Sequence, residues 1–226
     1  MLSKPVPAWI LLGGFLLTGI AGSVNAMGFL GVHHQALSHM SGTATIFSTD
    51  LARGDFVLAG HAALVLVAFF LGCVLSGMII RNSTLQAGRR YGVALVVESI
   101  LLGSAAFSLR HGSSYGDYLA AMACGLQNAL ATTYSGAVIR TTHITGILTD
   151  LGIAAGNFLR RESPHGRRVL VHLVLISGFL GGGVLGGLGY LRFGFDAMFA
   201  PAALTGLTGA GYALYKHYRL NFTPAT

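Results

Sequence analysis

Six long apolar runs divide the chain, at about residues 7–30, 57–80, 91–109, 117–138, 168–191 and 196–215. Crossing a hydrocarbon core of about 30 Å takes about 20 helical residues, so each run is predicted to be a transmembrane helix. Two less apolar segments, 39–53 and 143–159, follow the first and fourth runs. As helices they reach only about 22 Å, short of a full crossing. The pattern predicts an all-α integral membrane bundle of six transmembrane helices and two short polar helices.

Composition strengthens this reading. Of 226 residues, 53% are hydrophobic and 9% charged, too little polar surface to cover a soluble globule. The net charge of +7 would point to nucleic acid if the basic residues formed a patch, but they stand in small groups between apolar runs. The expected partner is the lipid bilayer, with no nucleic acid. If the short segments do not cross, one side holds Lys4, Arg81, Arg89, Arg90, Arg140, Arg160, Arg161, Arg167, Arg168, Lys216 and Arg219, and the other holds Arg53, Arg110 and Arg192. Eleven against three is a strong inside bias; letting both short segments cross weakens it to nine against five. Six spans with both termini cytoplasmic are therefore predicted. The start of the chain, with Lys4, an apolar run over 8–21 and small residues at Val24-Asn25-Ala26, also has the form of a cleaved secretory signal. Internal repetition favours its retention.

The chain carries related strings twice in the same order. Gly22-Ser23-Val24-Asn25-Ala26-Met27 precedes His39-Met40-Ser41-Gly42, and Gly125-Leu126-Gln127-Asn128-Ala129-Leu130 precedes His143-Ile144-Thr145-Gly146. Both halves continue through Thr-Asp-Leu (49–51; 149–151) into Phe70 to Gly77 and Phe179 to Gly187. Such self-similarity sets the architecture: one domain, 1–226, with repeat one over about 7–110 and repeat two over about 117–217. Three spans per repeat is an odd number, so the second half enters from the opposite side. The repeats are expected to be inverted, related by a pseudo-twofold axis in the membrane plane, with 39–53 dipping in from outside and 143–159 from inside. The 33 glycines, dense at Gly181-Gly182-Gly183 and Gly186-Gly187, predict close helix packing and offer a route to a homo-oligomer.

Candidate chemistry gathers on the short segments. Arg140-Thr141-Thr142-His143-Ile144-Thr145-Gly146 opens the second, with Thr145 as the expected N-cap of a helix over about 146–159. Thr145, Thr149, Gly152 and Gly156 share one face. A helix N-terminus inside a membrane directs N–H groups and partial positive charge at something, and Arg140 and His143 add to it. The element is either a cytoplasmic amphipathic helix with mutually satisfied polar groups or a re-entrant helix forming a solute site with 39–53. His39 and His143 hold equivalent repeat positions, as do Asn25 and Asn128, and Asp50 and Asp150. The predicted solute-binding set is Asn25, His39, Asn128, Arg140, His143, Thr145, Thr149 and Asp150. Glu98, midway along the third run, should face the bundle interior, either as a satisfied structural carboxyl or in proton coupling. His61 and His172 are expected at membrane interfaces.

Enzymes and metals receive less support. His33, His34 and His39 lie close in sequence, but there is no His-Glu-x-x-His, no cysteine ligand and no dense carboxylate set, so no metal or cofactor is expected. Cys73 and Cys124 stand alone in apolar runs and are read as packing residues. No nucleophile elbow or paired-carboxylate spacing appears, so no catalytic residue is assigned.

The run Arg140-Thr141-Thr142-His143-Ile144-Thr145-Gly146 with Thr149-Asp150-Leu151-Gly152, preceded by Gly125-Leu126-Gln127-Asn128-Ala129, resembles the YoaK-like family of bacterial multi-pass inner-membrane proteins. The resemblance covers nearly the whole chain and implies an inner-membrane location; the family's domain has no assigned activity. Asn25 and Thr43 stand where that family tends to carry an acid and an amide, which lowers the expectation of cation coupling through the first span. The leading functional expectation is a small-solute transporter or channel-like permease with its site between the repeats. The alternative is a non-transporting scaffold or accessory subunit that binds partner helices.

Overall fold

Long runs of Leu, Val, Ala and Phe, whose prolines stand only near their starts, sustain helix through most of the described residues. A computed structural model describes residues 8–31, 33–80, 89–135, 139–162 and 166–222. Their α-helices are α1 (Ala8–Leu30), α2 (Met40–Arg53), α3 (Phe56–Ile79), α4 (Arg89–Arg110), α5 (Tyr115–Tyr134), α6 (Ile144–Leu159), α7 (Gly166–Phe193) and α8 (Phe199–Phe222). A 3₁₀ turn, Gly194–Met198, separates α7 from α8. Gly194 has φ +58°, a left-handed conformation that costs glycine little and ends α7. Pro201 lies in the first turn of α8, where its missing N–H breaks no helical bond. The fourth run, predicted to reach 138, ends as helix at Tyr134. There the Ser135 hydroxyl accepts from the Ile139 amide at 2.7 Å.

Among the described residues, four helical stretches are long and apolar enough to cross a membrane: Ala8–Leu30, Phe56–Ile79, Arg90–Arg110 and Gly166–Tyr215. The last spans 50 residues, about 75 Å if straight, and the 3₁₀ turn divides it. Phe56, Val57, Phe70 and Met78 on α3 and Leu180, Val184, Leu185, Leu188 and Leu191 on α7 are exposed. Apolar side chains on the outer face of long apolar helices are the surface of a membrane protein. Lys4 and Arg81, which enter the orientation count, lie outside the described residues, as do the side chains of Arg89, Lys216 and Arg219.

The helices pair across the two halves. α1 packs along α7, α3 along α5, and α4 along both α5 and α8. Glycines set the first two crossings. A Cβ on Gly22 would strike the Phe179 carbonyl, and one on Gly182 would strike the Gly19 carbonyl. In the other pair, a Cβ on Gly125 would strike the Phe69 carbonyl, and one on Gly72 the Met122 carbonyl. The two crossings use matching positions, Gly22 with Gly125 and Phe179 with Phe69. Phe69 therefore takes the place that the sequence strings gave to Phe70, a shift of one residue that only the packing decides. Thr18 supports the first crossing by donating to the Gly14 carbonyl of its own helix at 2.8 Å, which leaves no orphan hydroxyl in the seam. Cys73 donates from Sγ to the Gly125 carbonyl at 3.3 Å, in keeping with a packing role.

At the centre is α5, whose buried face runs from Gly116 to Ala131 and includes Asp117 and Gln127. These polar groups lower its apolar content relative to its neighbours. The short helices α2 and α6 lie at the edge of the bundle: in α2 only Thr43 and Asp50 are buried, and in α6 only Ile147.

Candidate functional site

Both short helices begin at a histidine. His39 is the N-cap of α2 and His143 the N-cap of α6; neither ring makes a capping hydrogen bond. The expectation that Thr145 caps the second helix is corrected: helical geometry starts at Ile144, and Thr145 instead accepts, through its carbonyl, the Thr149 hydroxyl at 2.9 Å. With no side-chain cap, the first-turn N–H groups of both helices remain available to whatever stands in front of them.

In front of them is one cavity of about 370 Å³, lined by Ser38, His39, Met40 and Ser41 from the start of α2, Thr142, His143, Ile144 and Thr145 from the start of α6, and Phe69, Asn128 and Arg140. Among the described residues no carboxylate lines it. A second cavity of about 400 Å³ shares Arg140, His143 and Thr145 and adds Thr149, Asp150 and His172. Seven of the eight predicted solute-binding residues thus line these two cavities.

The eighth, Asn25, acts one step back. Its Oδ1 accepts from the Ser38 amide at 3.1 Å and from the Ser38 hydroxyl at 3.0 Å, fixing the residue before His39. Asn128, its counterpart, lines the first cavity with its Oδ1 buried and without a hydrogen-bond partner. A buried acceptor without a partner is an unmet hydrogen-bonding demand in the wall of the cavity. Asn25→Ala is expected to leave both Ser38 donors without their acceptor, a loss of about 1–3 kcal/mol. The check is faster amide exchange confined to residues 33–43 with α5 and α7 unchanged.

The two histidines differ in their surroundings. The half-buried His39 ring meets Phe179 edge-on with centroids 5.3 Å apart. His143 is more open and lies against Gly146, where a Cβ would strike its ring. Asp150 Oδ2 lies 3.6 Å from His172 Nε2, whereas its repeat mate Asp50 is buried 3.8 Å from Arg53. His172 and His61, expected at interfaces, are both buried beside carboxylates.

Glu98 lines neither cavity. Its Oε1 accepts from Gln127 Nε2 at 2.9 Å, and both residues are 1% exposed. Hydroxyls along the outer face of α2 bond backwards to their own backbone: Thr45 to Ser41, Ser48 to Ala44, and Thr49 to Thr45. These bonds satisfy the groups without a partner helix.

Over residues 13–211 the sequence matches the family described as a protein of unknown function, DUF1275. The chain belongs to that family. Comparison with curated proteins returned no match, and comparison with solved structures returned none. All nine candidate residues, Glu98 included, fall within the DUF1275 match.

One cluster in this DUF1275 chain has no signature in the sequence. His33, just after α1, His61 on α3 and Asp117 on α5 converge at one end of the bundle. His33 Nδ1 lies 2.8 Å and His61 Nε2 3.3 Å from the same oxygen, Asp117 Oδ2. His33 and Asp117 are 84 residues apart, and nothing in their local strings signals the meeting. The one available sign was Asp117 itself, a carboxylate at the start of an apolar run.

Proposed function

We propose that this protein is a small-solute permease of a bacterial inner membrane. In this reading α1, α3, α4, α5, α7 and α8 cross the bilayer, both termini are cytoplasmic, and the halves are inverted repeats about an axis in the membrane plane. The observation that carries it is that the N-termini of α2 and α6, equivalent elements of the two halves, line one cavity. Two uncapped helix starts and Arg140 put positive charge and N–H donors there; among the described residues no acid lines this cavity, and Asp150 lines the adjoining one. The favoured solute is small and rich in hydrogen-bond acceptors, an anion in the simplest case. Irregular backbone before each short helix is tolerable at membrane depth because it borders a polar cavity rather than lipid. Movement of one repeat against the other about this site would open it to alternate sides.

The test is flux in proteoliposomes of purified protein, using shrinkage and reswelling in formate, nitrate and glycerol solutions. Wild type is expected to accelerate entry of at least one of these. Arg140→Ala and His143→Ala are expected to slow it at least about tenfold, the effect of losing one charge-assisted hydrogen bond of about 1.5–3 kcal/mol. Flux unchanged by His143→Ala and Asp150→Asn would remove the site assignment. In a background with Cys73 and Cys124 replaced, cysteines at Thr145 and Thr149 should be labelled by a water-soluble maleimide. Complete protection at both would favour the packed scaffold.

A further inference from the structure

We propose that His33, His61 and Asp117 form a binding site for a divalent transition-metal ion, zinc being the natural probe. One ligand atom from each residue lies within 4.8 Å of those of the other two, and Asp117 Oδ2 is 2.8 Å from His33 Nδ1 and 3.3 Å from His61 Nε2. Tetrahedral zinc with bonds of about 2.0–2.1 Å sets its ligand atoms about 3.3–3.4 Å apart, so the 2.8 and 3.3 Å separations need to change by only a few tenths of an ångström.

The outward ring nitrogens provide a second line of support. His33 Nε2 lies 3.4 Å from the Ser114 hydroxyl, and His61 Nδ1 lies 2.9 Å from the Tyr118 hydroxyl. Each ring thus has one nitrogen held by a hydroxyl and the other turned to the shared point, as in metal sites whose histidines are oriented from behind. With the protons on those outward nitrogens, donated to Ser114 and Tyr118, both inward nitrogens present lone pairs. Asp117 supplies the negative charge.

A third observation is independent of these. His61 is 9% exposed, and its Nε2 is buried without a hydrogen-bond partner, because the approach to Asp117 is not in line. A cation between the two groups would satisfy that nitrogen. The His33 side chain is 27% exposed, which leaves an entry and a fourth coordination position for water. Two imidazoles and one carboxylate suit zinc, iron, cobalt or nickel rather than magnesium or calcium, which prefer all-oxygen shells. Binding would tie the link between α1 and α2 to the α3 and α5 pair, at an end of the bundle separate from the cavity at Asn128.

The experiment uses full-length protein in detergent, free of any polyhistidine tag, stripped with chelator and dialysed against zinc or cobalt. Wild type is expected to retain about one zinc per chain, to melt at a higher temperature with zinc, and to give the intense visible bands of four-coordinate cobalt. Asp117→Asn, which keeps the shape, and His33→Gln should lose the ion and the melting shift while eluting as wild type. Tyr118→Phe should keep the stoichiometry but bind about 10–100-fold more weakly. His34→Ala and His111→Ala should change nothing. Retention of zinc by Asp117→Asn, loss of it in the His34 and His111 variants, or a wild type that holds none would overturn the proposal; if Asp117→Asn misfolds, His33→Gln alone decides.

Discussion

Gly182→Leu is expected to destroy the folded protein, while Gly181→Leu, one position away, leaves it intact. The α1 and α7 backbones are in contact at Gly182: an added Cβ would meet the Gly19 carbonyl, carbon and Cα. None of these is the far end of a side chain that could rotate away. The helices would have to separate along the seam formed by Gly178, Gly182 and Gly186 against Thr18, Gly19 and Ser23. Overpacking a well-filled core costs about 1–3 kcal/mol when neighbours can yield. Here the yielding group is backbone, so the loss should exceed that range and remove the pairing. At Gly181, by contrast, a Cβ would have nothing within 4 Å, and the position faces outward, where leucine suits lipid. Gly72→Leu, against the Met122 carbonyl, should repeat the effect in the α3 and α5 crossing. Size-exclusion elution and thermal melting in detergent read both outcomes. A Gly182→Leu protein that is monodisperse with the wild-type melting temperature would show that the helices can part there at little cost.

The second large effect concerns the interior pair. Gln127→Leu is expected to lower stability by at least about 1–3 kcal/mol, because it removes the partner of Glu98 and leaves a carboxyl fully buried. Glu98→Leu should do similar harm by orphaning the Gln127 amide. The double replacement by leucine should recover much of the loss, since two apolar groups leave nothing unsatisfied. A double-mutant cycle by thermal or denaturant unfolding measures the coupling. Additive single losses would mean that the 2.9 Å bond contributes little and that the two residues act by packing alone. If the same pair took part in proton movement, Glu98→Gln would change the pH dependence of flux without a matching change in stability.

Much of the architecture could be read from residue patterns because hydrophobic length is a one-dimensional property. Each long run became a helix within about four residues of its expected ends, except that α8 continues seven residues past 215, and the two short segments became α2 and α6. The glycines of α7 could be recognised as packing residues, but not which of them face inward. Gly178, Gly182 and Gly186 meet α1, while Gly181 is free of contact. That choice depends on helix rotation, which a run apolar on all sides does not encode. The start of α6 falls a residue or two before its expected place because threonine is the better capping residue in general, whereas the turn here ends at His143.

That the chain is helical and built for a membrane could be read from its residues alone, because few charges and long apolar runs require a backbone satisfied within its own helices. Its repeated strings also set His39 and His143 at like positions of two similar motifs. It took the packed fold to show that those two residues line one cavity, that Asn25 Oδ1 is hydrogen-bonded while Asn128 Oδ1 is not, and that His33, His61 and Asp117 come together. Such meetings depend on how α1, α3 and α5 pack, and packing is fixed by close backbone contacts between residues far apart in the chain, which no local spacing records.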